Sequence, residues 1–185
     1  MTDLAKINAE QRGGRSRSNA ISSGRAAESG LSPAVELAFR PEVFFAGRTV
    51  GGGAVRNPFG RILRRCFVTT EGAHSGGQGS IQFQETFAYD DGEVDIWRWA
   101  MTAGRDGRYV AAEASAGPGI TGERRDGDYL LEFRRPVGKA RGVLAPHFAT
   151  RFTLLAPDLA VKHVQISFLG LPAATLTAVH RRLQN

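Results

Sequence analysis

The chain has 185 residues, enough for one ordinary domain and too few for two large ones, and its 23 Gly and 8 Pro beside 2 Met exclude a predominantly helical bundle. Its 24 Lys and Arg outweigh 18 Asp and Glu, a formal charge of +6 that is almost wholly guanidinium, because Lys6, Lys139 and Lys162 are the only lysines. Such a balance suits nucleic acid, anionic lipid or acidic metabolites alike and speaks mainly to solubility and long-range attraction. The lone Cys66 excludes a disulfide scaffold.

No stretch approaches the roughly 18 apolar residues of a membrane helix, and Met1 to Gly14 lacks the apolar block of a secretory signal. The expectation is a cytoplasmic protein with no membrane span. From Met1 to Pro33 the chain is built of Ser, Arg, Gly, Ala and Asn without an aromatic residue, so it cannot bury enough apolar surface to offset the entropy of ordering. Residues 1–33 therefore read as a disordered basic tail. Arg12, Arg15, Arg17 and Arg25 would suit an arm for nucleic acid or membrane, but Asp3, Glu10 and Glu28 interrupt the charge, and a plain solvated extension is the better reading.

Residues 34–185 read as a single domain of short strands. Val35 to Phe39, before Pro41, suit a short helix stopped by that proline and able to plug a barrel end. Strand candidates follow at 45–50 and 61–70. The clearest signal is a hairpin, Gln78 to Tyr89 and Glu93 to Met101, joined by Asp90-Asp91-Gly92, where Asp-Gly suggests a type I′ turn. Gly104 to Gly107 marks a second turn, and further strands are expected at 108–115, 129–136, 147–155, 159–169 and 175–183. Gly117-Pro118-Gly119 and Gly122 read as a corner, and Asp126-Gly127 as a turn. Short, hairpin-like connections predict a mainly β fold: an antiparallel up-and-down β-barrel of about eight to ten strands, with one short N-terminal helix.

The familiar chemical signatures are missing. Gly51-Gly52-Gly53 lacks the continuation of a dinucleotide fingerprint, and no phosphate-binding Gly-Lys loop occurs. His74, His147, His163 and His180 stand too far apart for a local metal site, so neither metal nor cofactor is expected. Cys66, between strand residues, reads as inert packing.

What remains is polar residues on apolar faces. Ile81, Phe83, Glu85 and Phe87 share one face of a strand, so Glu85 points inward. There it needs a cationic partner, a hydrogen-bond network or a proton, which leaves open a structural ion pair or a catalytic general acid/base. Arg64-Arg65 and Arg134-Arg135 cannot both place two charges in solvent if one face is buried. Tyr129, Leu131, Phe133 and Arg135 share an apolar face, which makes Arg135 the inward member and the natural partner of Glu85 or of a ligand carboxylate. On the next strand either Trp97 and Trp99 line the interior or Arg98 enters it, and Glu113, on the face of Tyr109, is a weaker counterpart of Glu85.

The run Phe44-Phe45-Ala46-Gly47, then Asn57-Pro58-Phe59-Gly60-Arg61-Ile62-Leu63-Arg64-Arg65-Cys66-Phe67, then Glu85-Thr86-Phe87-Ala88-Tyr89-Asp90-Asp91-Gly92-Glu93 with Trp97 behind it, resembles a family of uncharacterised bacterial proteins, a domain of unknown function often described as lipoproteins. The resemblance implies a lipocalin-like strand pattern and a lipid-related setting. The chain lacks the N-terminal Cys of a lipid anchor, so anchoring does not carry over.

The expected function is binding of a small hydrophobic or amphipathic acid, fatty acyl-like, in the barrel. Arg135 or Arg98 would hold the acidic head, and Trp97, Trp99, Phe83, Phe87, Tyr89 and Glu113 would line the site. Alternatives are a cofactor-independent isomerase, cyclase or hydratase using Glu85, and a protein-interaction barrel with a filled core. A nucleic-acid role rests on Arg content alone, and the oligomeric state is left open.

Overall fold

A computed structural model describes residues 37–136 and 145–184. The expected tail and the first two residues of the expected plug helix, 35 and 36, lie outside these residues, and Leu37 to Phe39 are not helical. The elements run α1 (Pro41–Phe44), β1 (Gly47–Arg56), β2 (Ile62–His74), β3 (Ser80–Tyr89), β4 (Val94–Ala103), β5 (Arg108–Glu113), β6 (Gly117–Arg125), β7 (Asp128–Arg134), β8 (His147–Ala156), β9 (Leu159–Phe168) and β10 (Leu171–Arg182). Each strand pairs antiparallel with the next, and β1 pairs with β10 from Thr49↔Arg182 to Arg56↔Thr175, so the sheet closes into a ten-stranded up-and-down barrel with no free edge. This is the up-and-down barrel expected from the strand spacing, with the lipocalin-like pattern that the family resemblance implies.

Three local expectations need correction. Pro41 begins the helix rather than ending one: it has no N–H to lose in a first turn, and its ring presets φ. The corner read at Gly117–Gly122 is strand β6, whose Gly122 lets the Tyr129 ring pass where a side chain would stand. Only Gly92 in the Asp90-Asp91-Gly92 loop has positive φ, so the turn is not type I′, which needs two such residues. The loop instead closes through Gly92 N–H donating to Tyr89 O at 3.0 Å. Two-residue turns with positive φ at both positions do occur, at Asp126-Gly127 and at Leu169-Gly170.

Strand alternation divides the side chains cleanly. Phe83, Phe87, Trp97, Trp99, Tyr129, Leu131, Phe133, Phe148, Phe152 and Val164 fill the interior, whereas Gln82, Arg98, Glu132 and Arg151 face outward. Phe39, Phe44 and Phe45 close one end, with Phe45 stacked on Phe83 at 4.3 Å between ring centres and Phe39 on Phe152 at 5.0 Å. A backbone bond from Phe39 N–H to Gly127 O at 2.8 Å ties this plug to the β6–β7 turn. Beneath it Tyr109 donates to Glu42 at 2.9 Å, and Arg40 pairs with the same carboxylate at 2.8 Å.

The seam between β1 and β10 is unusually close. A Cβ at Gly51 would run into the backbone carbonyl of Val179, which no side-chain rotation can relieve, whereas one at Gly52 would meet Cys66 O at 3.3 Å. Gly51→Ala should therefore cost about 1–3 kcal/mol of unfolding free energy and Gly52→Ala far less, measured by urea denaturation.

Candidate functional site

The centre of the barrel is charged. Strand β3 sends Glu85 inward between Phe83 and Phe87, and β9 sends Lys162 inward between Ala160 and Val164. Lys162 Nζ lies 2.9 Å from Glu85 Oε1 and 2.7 Å from Oε2, and Trp99 Nε1 donates to Oε2 at 3.2 Å. Both side chains are 1% exposed. The ammonium also sits about 5 Å from the ring centres of Trp97, Phe87 and Phe152. Geometry of this quality is what allows an ion pair to survive the several kcal/mol per ion that desolvation costs.

Around the pair lies a layer of buried polar groups. His180 on β10 is fully enclosed opposite Gly51, and among the described residues neither ring nitrogen has a hydrogen-bond partner. The hydroxyls of Thr49, Thr70 and Thr150 share that condition. Burial pushes the His180 pKa down to about 4, with the Lys162 charge adding to the effect and the Glu85 charge opposing it.

A second charged cluster sits nearer the opposite end from the plug. Arg135 donates from Nη1 and Nη2 to the two oxygens of Asp95, each at 3.0 Å, and from Nη2 to Ile96 O at 3.2 Å. Its Nε lies 3.2 Å from Glu113 Oε2, near enough for charge pairing but not aligned for a hydrogen bond. Glu113 in turn accepts the backbone N–H groups of Ser115 and Ala116 at 2.8 and 2.9 Å. Trp97 is held from both sides, its Nε1 donating to Asp95 at 2.7 Å and its ring lying 4.6 Å beneath the Arg135 guanidinium. Burial raises the Asp95 pKa, but the Arg135 and Trp97 hydrogen bonds and the Arg135 charge outweigh it and hold the carboxyl below its ordinary range.

Beside this cluster the barrel is open. The mouth encloses about 830 Å³, lined by Trp97, Phe148, Val55, Val164, Ile166 and Leu176, with Tyr89, Arg64, Glu93 and Asp95 toward the rim. Arg64 lies over the Tyr89 ring at 3.6 Å and pairs with Glu93 at 3.1 Å and Asp91 at 3.6 Å. Burial pushes the Tyr89 pKa up to about 12, so it remains a neutral phenol.

The residues singled out from sequence are thus separated. Trp97 and Tyr89 line the mouth, whereas Phe83, Phe87, Trp99 and Glu85 belong to the filled centre. Arg135 does point inward, but its partners are Asp95 and Glu113 rather than Glu85. Arg98 must be withdrawn from the interior: it faces outward, because the tryptophans of the same strand occupy the inner face. Glu113 braces Arg135 and the β5–β6 turn. Cys66 faces inward and burial raises its pKa, as for a packing residue.

Lys162, His180 and Asp95 complete these clusters without being singled out, and Arg64 stands out in the sequence only as one of an Arg-Arg pair with one member expected inward. The alternation Ala160, Lys162, Val164, Ile166 and the alternation Leu176, Ala178, His180 would have found the first two.

Replacing Lys162 by Met strands a buried carboxylate and should cost about 3–5 kcal/mol, most of it recovered in the double variant Glu85→Leu/Lys162→Met. His180 stays neutral in the fold below its ordinary pKa of 6.5, while the unfolded chain takes up a proton. Stability should therefore fall as pH drops from about 6.5 to 4, by up to about 3 kcal/mol. His180→Leu should remove that component in pH-dependent denaturation.

Comparison with known proteins supports the architecture. The S-type phycobiliprotein lyase CPES from Guillardia theta shares the fold with a TM-score of 0.60 at 13% identity, covering 82% of this chain and 97% of that one. No curated protein matches the chain. A family model described as "Protein of unknown function (DUF3833)" matches residues 28–182, and the chain belongs to that family.

Proposed function

We propose that the barrel binds a small, largely apolar molecule with an acidic end, of the fatty-acyl kind, in its open mouth and does not transform it. The observation that carries this reading is the mouth itself, a partly enclosed space of about 830 Å³ walled mainly by aromatic and aliphatic side chains. Small-molecule sites commonly have that size and lining, with a few polar groups to fix orientation. The fold shared with a phycobiliprotein lyase supports a role for the barrel interior without specifying the molecule.

The polar end is assigned to Arg64. Its present partners, Glu93 and Asp91, are exposed at the rim, where ion pairs are weak and readily exchanged. A ligand carboxylate would take the guanidinium fork while Tyr89 supports its face. Both terminal nitrogens of Arg135 already donate to Asp95, one of them also to Ile96 O, and its Nε lies against Glu113. A role for Glu85 as general acid or base draws no support from this geometry, since Lys162 and Trp99 hold both its oxygens and it does not line the mouth.

The test is titration of the full chain with a long-chain fatty acid and with its methyl ester, followed by tryptophan emission, which Trp97 on the mouth lining reports. Saturable binding of both is expected, with Arg64→Leu weakening the acid roughly tenfold and the ester little. Equal losses for acid and ester would take Arg64 out of the site. If neither compound gives a saturable change, the mouth is not a site for this class.

A further inference from the structure

Two neighbouring hairpin tips at the mouth end present exposed apolar side chains. Strands β1 and β10 are paired up to Arg56↔Thr175, so the β1–β2 loop and the β9–β10 turn leave the barrel side by side. The first carries Phe59, 94% exposed, and the second carries Leu169 and Leu171, each 71% exposed, with Phe168 beside them. Phe67, Val110 and Leu155 are also more than half exposed elsewhere on the barrel, but among the described residues Phe59, Leu169 and Leu171 are the most exposed of the large apolar side chains.

Neither tip is loose coil. Asn57 Oδ1 accepts the N–H groups of Phe59 and Arg61 at 3.1 and 3.0 Å, Gly60 N–H donates to Asn57 O at 2.9 Å, and Arg56 Nη1 donates to Gly60 O at 2.9 Å. Phe59 is held outward by that loop. Leu169 has φ of +51°, in the left-handed region that Asn, Asp and Gly tolerate and leucine does not favour. The turn type calls for a residue such as Asn at this position. Leucine carries backbone strain there and gains little burial among the described residues.

We propose that these two tips are a docking surface for an anionic lipid membrane, set beside the mouth. Charge complementarity favours that occupant. Arg56 and Arg61 flank Phe59, both exposed, and among the described residues neither is in an ion pair. Apolar tips with arginine behind them match an interface in which acyl chains lie just beneath charged headgroups. Two protruding points also suit a fluid surface better than the flat, continuous patch of a protein interface. The same rim supplies Leu63 and Ala174 to the mouth lining, so the opening lies next to the docked edge. In this respect the inference rests on the proposed function, since a mouth that takes an acyl-like molecule would meet its source there.

The experiment is vesicle flotation of the full chain, with phosphatidylcholine alone and with about one third phosphatidylglycerol, beside the double variant Phe59→Ser/Leu169→Asn. The wild-type chain should float with the anionic vesicles and be released by salt. The double variant should partition about tenfold less while keeping or raising its melting temperature, because Asn accepts the left-handed backbone. Residues 1–36 are common to both chains, so the difference reports the tips. A Phe59→Trp variant should show blue-shifted emission on the same vesicles.

Equal flotation of wild type and double variant, or none by either, overturns the proposal. If the wild type is instead a dimer that the double variant converts to a monomer, with no vesicle binding, the tips are a self-association face and the membrane reading is wrong. Fatty-acid titration in vesicle-free buffer separates the two ideas, because neither substituted residue lines the mouth: lost flotation with unchanged titration touches docking alone.

Discussion

A carboxylate from β3 and an ammonium from β9 meet at the centre of the barrel, and the rest of the interior is arranged around the cost of putting them there. Neither charge can lose its partner without leaving the other in an apolar enclosure. Each therefore fixes the other's strand across the barrel, 77 residues apart in sequence. The three aromatic rings around Lys162 and the indole N–H on Glu85 complete the solvation that water would have given. A filled middle follows, with an open space toward one end.

That end is stiffened by a different set of charges. Arg135 ties β7 to β4 through Asp95 and lies beside Glu113 at the end of β5, and it clamps Trp97 between its guanidinium and the Asp95 hydrogen bond. A mouth lining held in this way has little conformational entropy to lose when something settles on it, a property that favours binding without induced rearrangement. The opposite end obtains rigidity from aromatic packing, with Phe39, Phe44 and Phe45 wedged among Phe83, Tyr129 and Phe152.

Much of this was legible in the sequence, and the part that was not has a physical reason. Alternation placed Glu85, Arg135 and Glu113 inward, because a strand buried on one face has a period of two. The same rule applied to β9 and β10 nominates Lys162 and His180. What alternation cannot tell is which inward residues meet: Glu85 found Lys162 and Arg135 found Asp95 because of the stagger with which ten strands close, a global property absent from any local window. Strand β6 was hidden for the opposite reason. Its three glycines look like a corner, yet Gly122 is there so that Tyr129 can lie against the strand. Arg98 was misplaced only while the facing of Trp97 and Trp99 stayed undecided.

The aromatic plug has one more consequence. Among the described residues Phe39, Phe44 and Phe45 seal one end and an ion pair fills the middle, which makes the barrel a cup rather than a conduit. Anything it holds must arrive and depart by the same rim, and the portion that enters first is the last to leave. On the proposed function, an acyl-like molecule in such a vessel would have a fixed sense, apolar end down on Trp97 and Phe148 and polar end up beside Arg64. The group a second molecule would first encounter is therefore the headgroup and not the chain.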